Sequence, residues 1–199
     1  MLSNALWRRL GHALPFSNSD LDSWLRSLRI VATDGQTSLP ELAAKMNGYL
    51  HGSTRANSYA TFFYAQLDER KRELRYVNAG HNPPYLLRPP DEAHAGVEAD
   101  IRELSIGGTV LGLFPQMIYE EATVSLQAGD VLVAFTDGVT EALNIAEEEF
   151  GEDRLKALLR SVVHLPADEI SARIAEGLRS WIKNTDQYDD LTFVVMKVN

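Results

Sequence analysis

Two acidic segments of the sequence border apolar stretches, and their position suits metal chemistry. Asp137 and Gly138 stand just after the apolar run 131–135, and Asp189 and Asp190 immediately precede the apolar end of the chain. If the two stretches form neighbouring strands, both groups of carboxylates emerge at one edge of a sheet. Hard divalent cations such as Mg²⁺ and Mn²⁺ prefer all-oxygen sites of this kind. Two such ions close together activate water and neutralise phosphoryl oxygens.

Each acidic segment could equally have a purely structural role. An Asp-Gly pair after a strand, as at Asp137-Gly138, is most often a turn. The Asp189-Asp190 pair is equally able to cap or solvate a loop. Neither segment is specific for a metal by itself, so the metal hypothesis depends on the fold bringing the two together.

A third segment, residues 76–84, ends an alternating pattern in Asn78, Gly80 and His81. Glycine permits a positive φ and a close approach of the backbone. His81 could carry a proton near neutral pH. Alternatively, its imidazole forms a hydrogen bond across the turn and fixes the exit of a hairpin. The sequence favours this second interpretation, because no paired base or nucleophile is visible near His81.

The positions of apolar residues predict the elements that hold these segments. Strands are predicted over residues 59–67, 74–77, 85–87, 122–126, 131–135 and 191–198. Helices are predicted over residues 2–12, 152–161 and 167–183, and after a cap at Ser38. Residues 89–100 are predicted to be an exposed loop. Clustered strands with helices around them favour an α+β fold with largely antiparallel sheets over a doubly wound one.

Composition narrows the classes of protein to consider. The 199 residues are 45% hydrophobic and 24% charged, which is typical of a globular domain. The net charge of −9 argues against a surface that coats nucleic acid or anionic lipid. The chain has no cysteine, so disulfides and thiolate chemistry are excluded. No apolar run approaches the roughly 18 residues of a membrane span, and we expect a cytoplasmic protein.

Six segments, taken together and in order, carry a resemblance to a known family. They read YVNAGHNPP, GTVLG, GD, FTDGVTEA, FGEDRL and DDLT, and they begin at residues 76, 108, 129, 135, 150 and 189. This order resembles the PPM-type (PP2C-like) protein serine/threonine phosphatases, in their bacterial SpoIIE/RsbU-like branch. The resemblance is best over residues 61–198.

The resemblance implies a fold, a cofactor and site residues. The fold would be an αββα sandwich of two mainly antiparallel sheets flanked by helices. A binuclear Mn²⁺ or Mg²⁺ site would activate the water that attacks phosphoserine or phosphothreonine. Asp137 and Asp189 match metal ligands of the family. Near them, without an assigned role as ligands, would lie Gly138, Glu141, Asp190 and His81, with Asn78 and Gly80 as structural parts of the channel wall.

The sequence departs from the family pattern in its N-terminal part. The motifs Gly-Asp-x-x-Asp and Asp-x-x-Gly-His-Gly do not occur. We therefore expect residues 1–199 to be one phosphatase domain that is N-terminally incomplete, with a possible insertion at 15–37. An incomplete metal site and poor hydrolysis by this chain alone are also expected. Oligomerisation or a partner could cover exposed sheet edges, and the parent protein could carry an attached sensor domain.

Two functions follow as hypotheses, and a third hypothesis is that the chain is a fragment with no stable independent function. The first is a metal-dependent protein phosphatase acting on a phosphorylated regulatory protein of the anti-sigma-factor-antagonist type. The alternative is a catalytically inactive remnant of this fold that serves as a protein-binding module.

Overall fold

The computed structural model describes residues 6–10, 38–53, 58–91, 96–183 and 190–199. The described elements, in chain order, are β1 (Leu6–Leu10), α1 (Leu39–Ser53), β2 (Phe62–Asp68), β3 (Glu73–Ala79), β4 (Tyr85–Arg88), β5 (Asp100–Glu103), β6 (Gly107–Gly108), β7 (Ala122–Ser125), β8 (Val131–Phe135), α2 (Asp137–Thr140), α3 (Glu152–Val162), α4 (Ala167–Ile182) and β9 (Leu191–Lys197). They form two compact units, which interleave along the chain.

The first unit is a five-stranded sheet covered by two helices. Its strand order is β1-β9-β8-β4-β5, and every neighbouring pair is antiparallel. The helices α3 and α4 pack on this sheet through apolar residues at helical spacing. Leu159 and Ile174, for example, share a fully buried core with Val133 and Val195. This core fixes the two central strands, β8 and β9.

The second unit is a smaller sheet packed against α1. Strand β3 is its centre and pairs antiparallel with β2 and β7 and, over two residues, parallel with β6. Leu39 and Ala43 of α1 lie in one core with Phe62, Tyr64 and Val77. The α+β class and the mainly antiparallel sheets therefore agree with the sequence-based expectation.

Most predicted elements are confirmed, and one is wrong. The helix expected over residues 2–12 is instead a strand at Leu6–Leu10, which pairs with β9 from Leu6↔Val195 to Leu10↔Leu191. Leucines four residues apart satisfy the period of a strand as well as that of a helix, so a short segment cannot be assigned from spacing alone. Here, backbone pairing with β9 makes the segment a strand.

A predicted loop and a predicted helix cap lie close to where they were expected. The loop 89–100 ends one residue early, because Asp100 already pairs with Arg88 in β5. Ser38 caps α1, since its Oγ accepts a hydrogen bond from the amide of Glu41 at 3.4 Å. The possible insertion at 15–37 lies outside the described residues.

Candidate active site

The described residues of the two acidic segments lie at one edge of the five-stranded sheet. Strands β8 and β9 are antiparallel neighbours, with pairs running from Val131↔Lys197 to Phe135↔Phe193. In an antiparallel pair, the end of one strand lies beside the start of the other. Asp137, after β8, and Asp190, before β9, therefore lie at the same edge. The adjacent strands that the metal hypothesis requires are therefore present, whereas the ligand roles of Asp137 and Asp189 are still predictions.

Asp137 begins the short helix α2 and is exposed to solvent. Its Oδ1 accepts a hydrogen bond from the amide of Gly138 at 3.0 Å. Its carbonyl oxygen accepts from the amide of Glu141 at 2.8 Å and from the hydroxyl of Thr140 at 3.1 Å. The backbone of this turn is thus held from within, while the carboxylate faces solvent. Glu141 is also exposed, one turn further on.

Thr136 links the two acidic segments directly. Its hydroxyl donates to the carbonyl oxygen of Asp190 at 2.9 Å and accepts from the amide of Thr192 at 3.2 Å. Its own amide donates to the carbonyl oxygen of Thr192 at 2.9 Å. Thr136 was not predicted as a site residue, although its place between a strand and Asp137 was visible in the sequence.

Asp190 is exposed at the start of β9. Asp189, the other expected metal ligand, lies outside the described residues, so its role remains a prediction. The described part of the chain contains no group of three or more Asp, Glu or His side chains placed to hold a metal ion. The described residues therefore do not form a binuclear metal site.

The third segment lies in the second unit, where Asn78 holds the turn. The side chain of Asn78 is almost fully buried and accepts from the amide of His81 at 2.8 Å. Its Nδ2 donates to the carbonyl oxygens of His81 and Leu104, at 2.9 and 3.2 Å. The imidazole Nδ1 of His81 lies 3.3 Å from the hydroxyl of Thr61, across the start of the hairpin. These contacts are those of a structural turn.

Two glycines in this unit are required by close approach. Gly80 has φ +69°, and an added Cβ would lie 2.5 Å from a methyl group of Val110. Gly107 packs directly on the backbone of Asn78, where an added Cβ would overlap the Asn78 carbonyl. Only glycine fits either position without displacing its neighbours.

A charged cluster in the first unit ties α3 to the sheet. Lys156 Nζ donates to Glu103 at 2.8 Å and to Glu152 at 2.9 Å, and lies 5.0 Å from the ring centre of Tyr85. The hydrogen bonds to Glu103 and Glu152 raise the pKa of Lys156. The hydrogen bond from Lys156 lowers the pKa of Glu152, and burial raises the pKa of Tyr85. The sequence analysis did not identify this cluster, although the i,i+4 spacing of Glu152 and Lys156 is typical of an ion pair on a helix.

No described helix is both long and apolar enough to cross a membrane.

Comparison with known proteins identifies relatives across nearly the whole chain. The sequence profile of the Stage II sporulation protein E (SpoIIE) family matches residues 22–199. Phosphoserine phosphatase RsbU of Bacillus subtilis is 28% identical over 158 residues, which are 79% of this chain and 44% of RsbU. The chain spans less than half the length of the curated relatives it matches.

Solved structures share the fold. The SiaA-PP2C domain of Pseudomonas aeruginosa has a TM-score of 0.68 at 18% identity, covering 83% of this chain and 63% of that one. A structure of RsbX in complex with magnesium has a TM-score of 0.54 at 16% identity, covering 98% of this chain and 87% of that one. The fold is thus that of the PP2C domains.

Proposed function

Because the chain belongs to the SpoIIE family of PP2C-type serine phosphatases, we propose that its domain uses divalent metal to hydrolyse phosphoserine or phosphothreonine in a regulatory protein. The observation that carries the proposal is the antiparallel pairing of β8 and β9. It brings Asp137 and Asp190 to one sheet edge. A protein phosphatase of this class is a hydrolase, so the products are a free hydroxyl side chain and inorganic phosphate.

In this proposal, Asp137 and Asp189 hold Mn²⁺ or Mg²⁺. The bound metal would supply an activated water and offset the charge of the phosphoryl oxygens. RsbX, a solved relative in fold, is described in complex with magnesium. The exposed carboxylates of Asp190 and Glu141 add negative charge at the same edge, which favours a cation over an anion there.

Gly138 is assigned a backbone role. It is buried in the turn, and its amide donates to the Asp137 carboxylate, which orients one oxygen of that group. With one oxygen of Asp137 occupied by this hydrogen bond, the other is the better placed to bind a cation. The chain's contribution is therefore to hold carboxylates in place before the metal arrives.

Asn78, Gly80 and His81, which belong to the second unit, are proposed to be structural residues of its turn. Their hydrogen bonds support a structural role, because the buried Asn78 amide holds both the amide and the carbonyl of His81. We assign no proton transfer to His81. A substitution that keeps the turn, such as His81→Gln, is then expected to retain most of the activity.

The proposed substrate is a phosphorylated regulatory protein of the anti-sigma-factor-antagonist type, modified on serine or threonine. Its support is the resemblance to the RsbU-like branch and the description of RsbU as a phosphoserine phosphatase. The net charge of −9 makes nucleic acid a poor alternative.

The test measures Mn²⁺-dependent release of phosphate from a phosphoserine protein and from p-nitrophenyl phosphate. We expect slow hydrolysis, because the described residues offer few anionic ligands, and its loss in Asp137→Asn. Asp168→Asn, at an exposed position of α4, is the matched control and should change nothing. Hydrolysis that survives Asp137→Asn, or that needs no metal, would refute the assignment. A folded chain that neither binds Mn²⁺ nor releases phosphate would favour the protein-binding alternative.

A further inference from the structure

Thr136 occupies the point where a strand becomes a helix. It follows β8, precedes Asp137, and has an extended backbone with φ −85° and ψ 160°. Threonine is favoured at this N-terminal cap position because its hydroxyl can accept a hydrogen bond from the first turn of the helix. Here the hydroxyl makes no such bond. The hydroxyl instead forms hydrogen bonds with the neighbouring β9 segment.

The carbonyl oxygen of Thr136 is already engaged, because it accepts a hydrogen bond from the amide of Val139 at 3.0 Å in the first turn of α2. Continuing the ladder past Phe135↔Phe193 would also require that carbonyl to accept from the amide of Thr192. The Thr192 amide bonds to the Thr136 hydroxyl at 3.2 Å. The Thr136 hydroxyl therefore replaces the Thr136 carbonyl as the acceptor for the Thr192 amide. In this way, both the strand pairing and the first turn of α2 keep their hydrogen bonds.

The hydroxyl proton has its own partner. It is donated to the carbonyl oxygen of Asp190 at 2.9 Å, with a longer contact of 3.4 Å to that of Thr192. One side chain, directly before Asp137, thus accepts from one residue of the β9 segment and donates to another. Each of the two bonds constrains the other, because both use the same oxygen atom.

We propose that Thr136 is a positioning residue, whose hydroxyl fixes the separation between the Asp137 turn and the backbone at Asp190. This inference rests on the proposed function in one respect, since its consequence is preorganised carboxylates for a divalent cation. Residues that orient metal ligands without contacting the metal commonly change affinity by about 10- to 100-fold when removed.

Three variants separate positioning from general stability. Thr136→Val keeps the shape of the side chain and removes both hydrogen bonds. Thr136→Ser keeps the hydroxyl and should restore the behaviour of the parent chain. Thr123→Val makes the same chemical change at an exposed position of β7 and is the matched control. Circular dichroism verifies that each variant is folded.

The first measurement is amide hydrogen exchange followed by NMR, without metal. In Thr136→Val we expect at least tenfold faster exchange at Thr192, and altered exchange or shifts at Gly138 and Val139. The interior amide of Val195 should be unchanged. Unchanged behaviour of Gly138 and Val139 in Thr136→Val would overturn the proposal, because the Asp137 turn would then be held without the hydroxyl.

The second measurement is Mn²⁺ affinity by titration calorimetry. We expect the Kd to rise about tenfold in Thr136→Val and to stay within twofold in Thr136→Ser and Thr123→Val. Equal affinity of Thr136→Val and the parent chain would also overturn the proposal. If the parent chain itself binds no Mn²⁺, the proposed function fails, and the exchange measurement alone decides the role of Thr136.

Discussion

The guanidinium group of Arg88 binds both carboxylate oxygens of Asp130, at 2.9 and 2.7 Å, and Asp130 is completely buried. The Asp130 carboxylate also accepts from the amide of Gln127 at 2.8 Å. This pair closes the turn that leads into β8. It raises the pKa of Arg88 through the hydrogen bond with Asp130. The strand that carries Asp137 at its end is thus anchored at its start.

Replacing Asp130 with Asn should therefore destabilise the first unit. The buried site would lose charge-assisted hydrogen bonds, and we expect a loss of about 2–4 kcal/mol in the free energy of unfolding. Urea denaturation measures this value. Asp168→Asn is the exposed control, for which a change within roughly 0.5 kcal/mol is expected. Equal stability of the two variants would show that the Arg88 pair contributes nothing.

Two glycine substitutions should act in opposite directions. Gly107→Ala places a methyl group onto the backbone of Asn78, and we expect a loss of at least about 2 kcal/mol. Gly48→Ala adds a methyl group in open space within α1, where alanine is favoured by roughly 0.5–1 kcal/mol. Thermal unfolding compares the two. A tolerated Gly107→Ala would contradict the parallel pairing of β3 with β6.

The contact between Glu152 and Lys156 should make stability depend on pH. The hydrogen bond from Lys156 holds the pKa of Glu152 below its usual value in the folded chain. The stabilisation that this contact provides is therefore complete above the usual pKa of a glutamate, roughly 4. It is lost as the pH falls through the lower pKa that Glu152 has in the folded chain. Because Glu152 is largely exposed, we expect the contact to contribute only about 0.5 kcal/mol to the free energy of unfolding.

Urea denaturation of the parent chain and Glu152→Gln, from neutral to acid pH, checks this. The free energies of unfolding of the two proteins should differ at neutral pH and converge below about pH 4. Glu169→Gln, at an exposed position in the first turn of α4, controls for the loss of a carboxylate near a helix N-terminus, and the difference caused by Glu152→Gln should be the larger of the two. A constant difference at every pH would show that packing, rather than charge, is responsible for the effect.

Asp137→Asn should leave folding intact without metal. The carboxylate is exposed, and its neighbours at the sheet edge include the acidic Asp190 and Glu141. Removing one of several like charges reduces repulsion, so the thermal midpoint without metal should be unchanged or slightly higher. Calorimetric unfolding measures it. A large drop in the thermal midpoint would indicate that Asp137 is a structural residue rather than a metal ligand.

The strands that carry the acidic segments could be predicted from sequence, because a short, continuous apolar run such as 131–135 is typical of a buried strand. Their adjacency could not, since it depends on which strands pair. The role of Thr136 depends further on register, because only pairing opposite Thr192 gives its hydroxyl partners. The strand Leu6–Leu10 was predicted as a helix for a related reason, as its partner β9 lies far away in sequence.

Other contacts, around the turn at Asn78, could not be predicted from the sequence. Asn78 was expected in a wall of the site, but its hydrogen bond to Leu104 depends on a loop that sequence does not place. The requirement for glycine at position 107 could not be predicted, because it comes from contact with the Asn78 backbone. Close approaches of this kind exist only once the chain has folded.

The most direct test of a metal-binding sheet edge is titration calorimetry of the folded chain with Mn²⁺. It should be run beside the double variant Asp137→Asn/Asp189→Asn and the control Asp168→Asn. We expect micromolar binding by the parent chain and the control, and its loss in the double variant. Absence of binding by the folded parent chain, or equal binding by the double variant, would contradict the assignment of Asp137 and Asp189 as metal ligands.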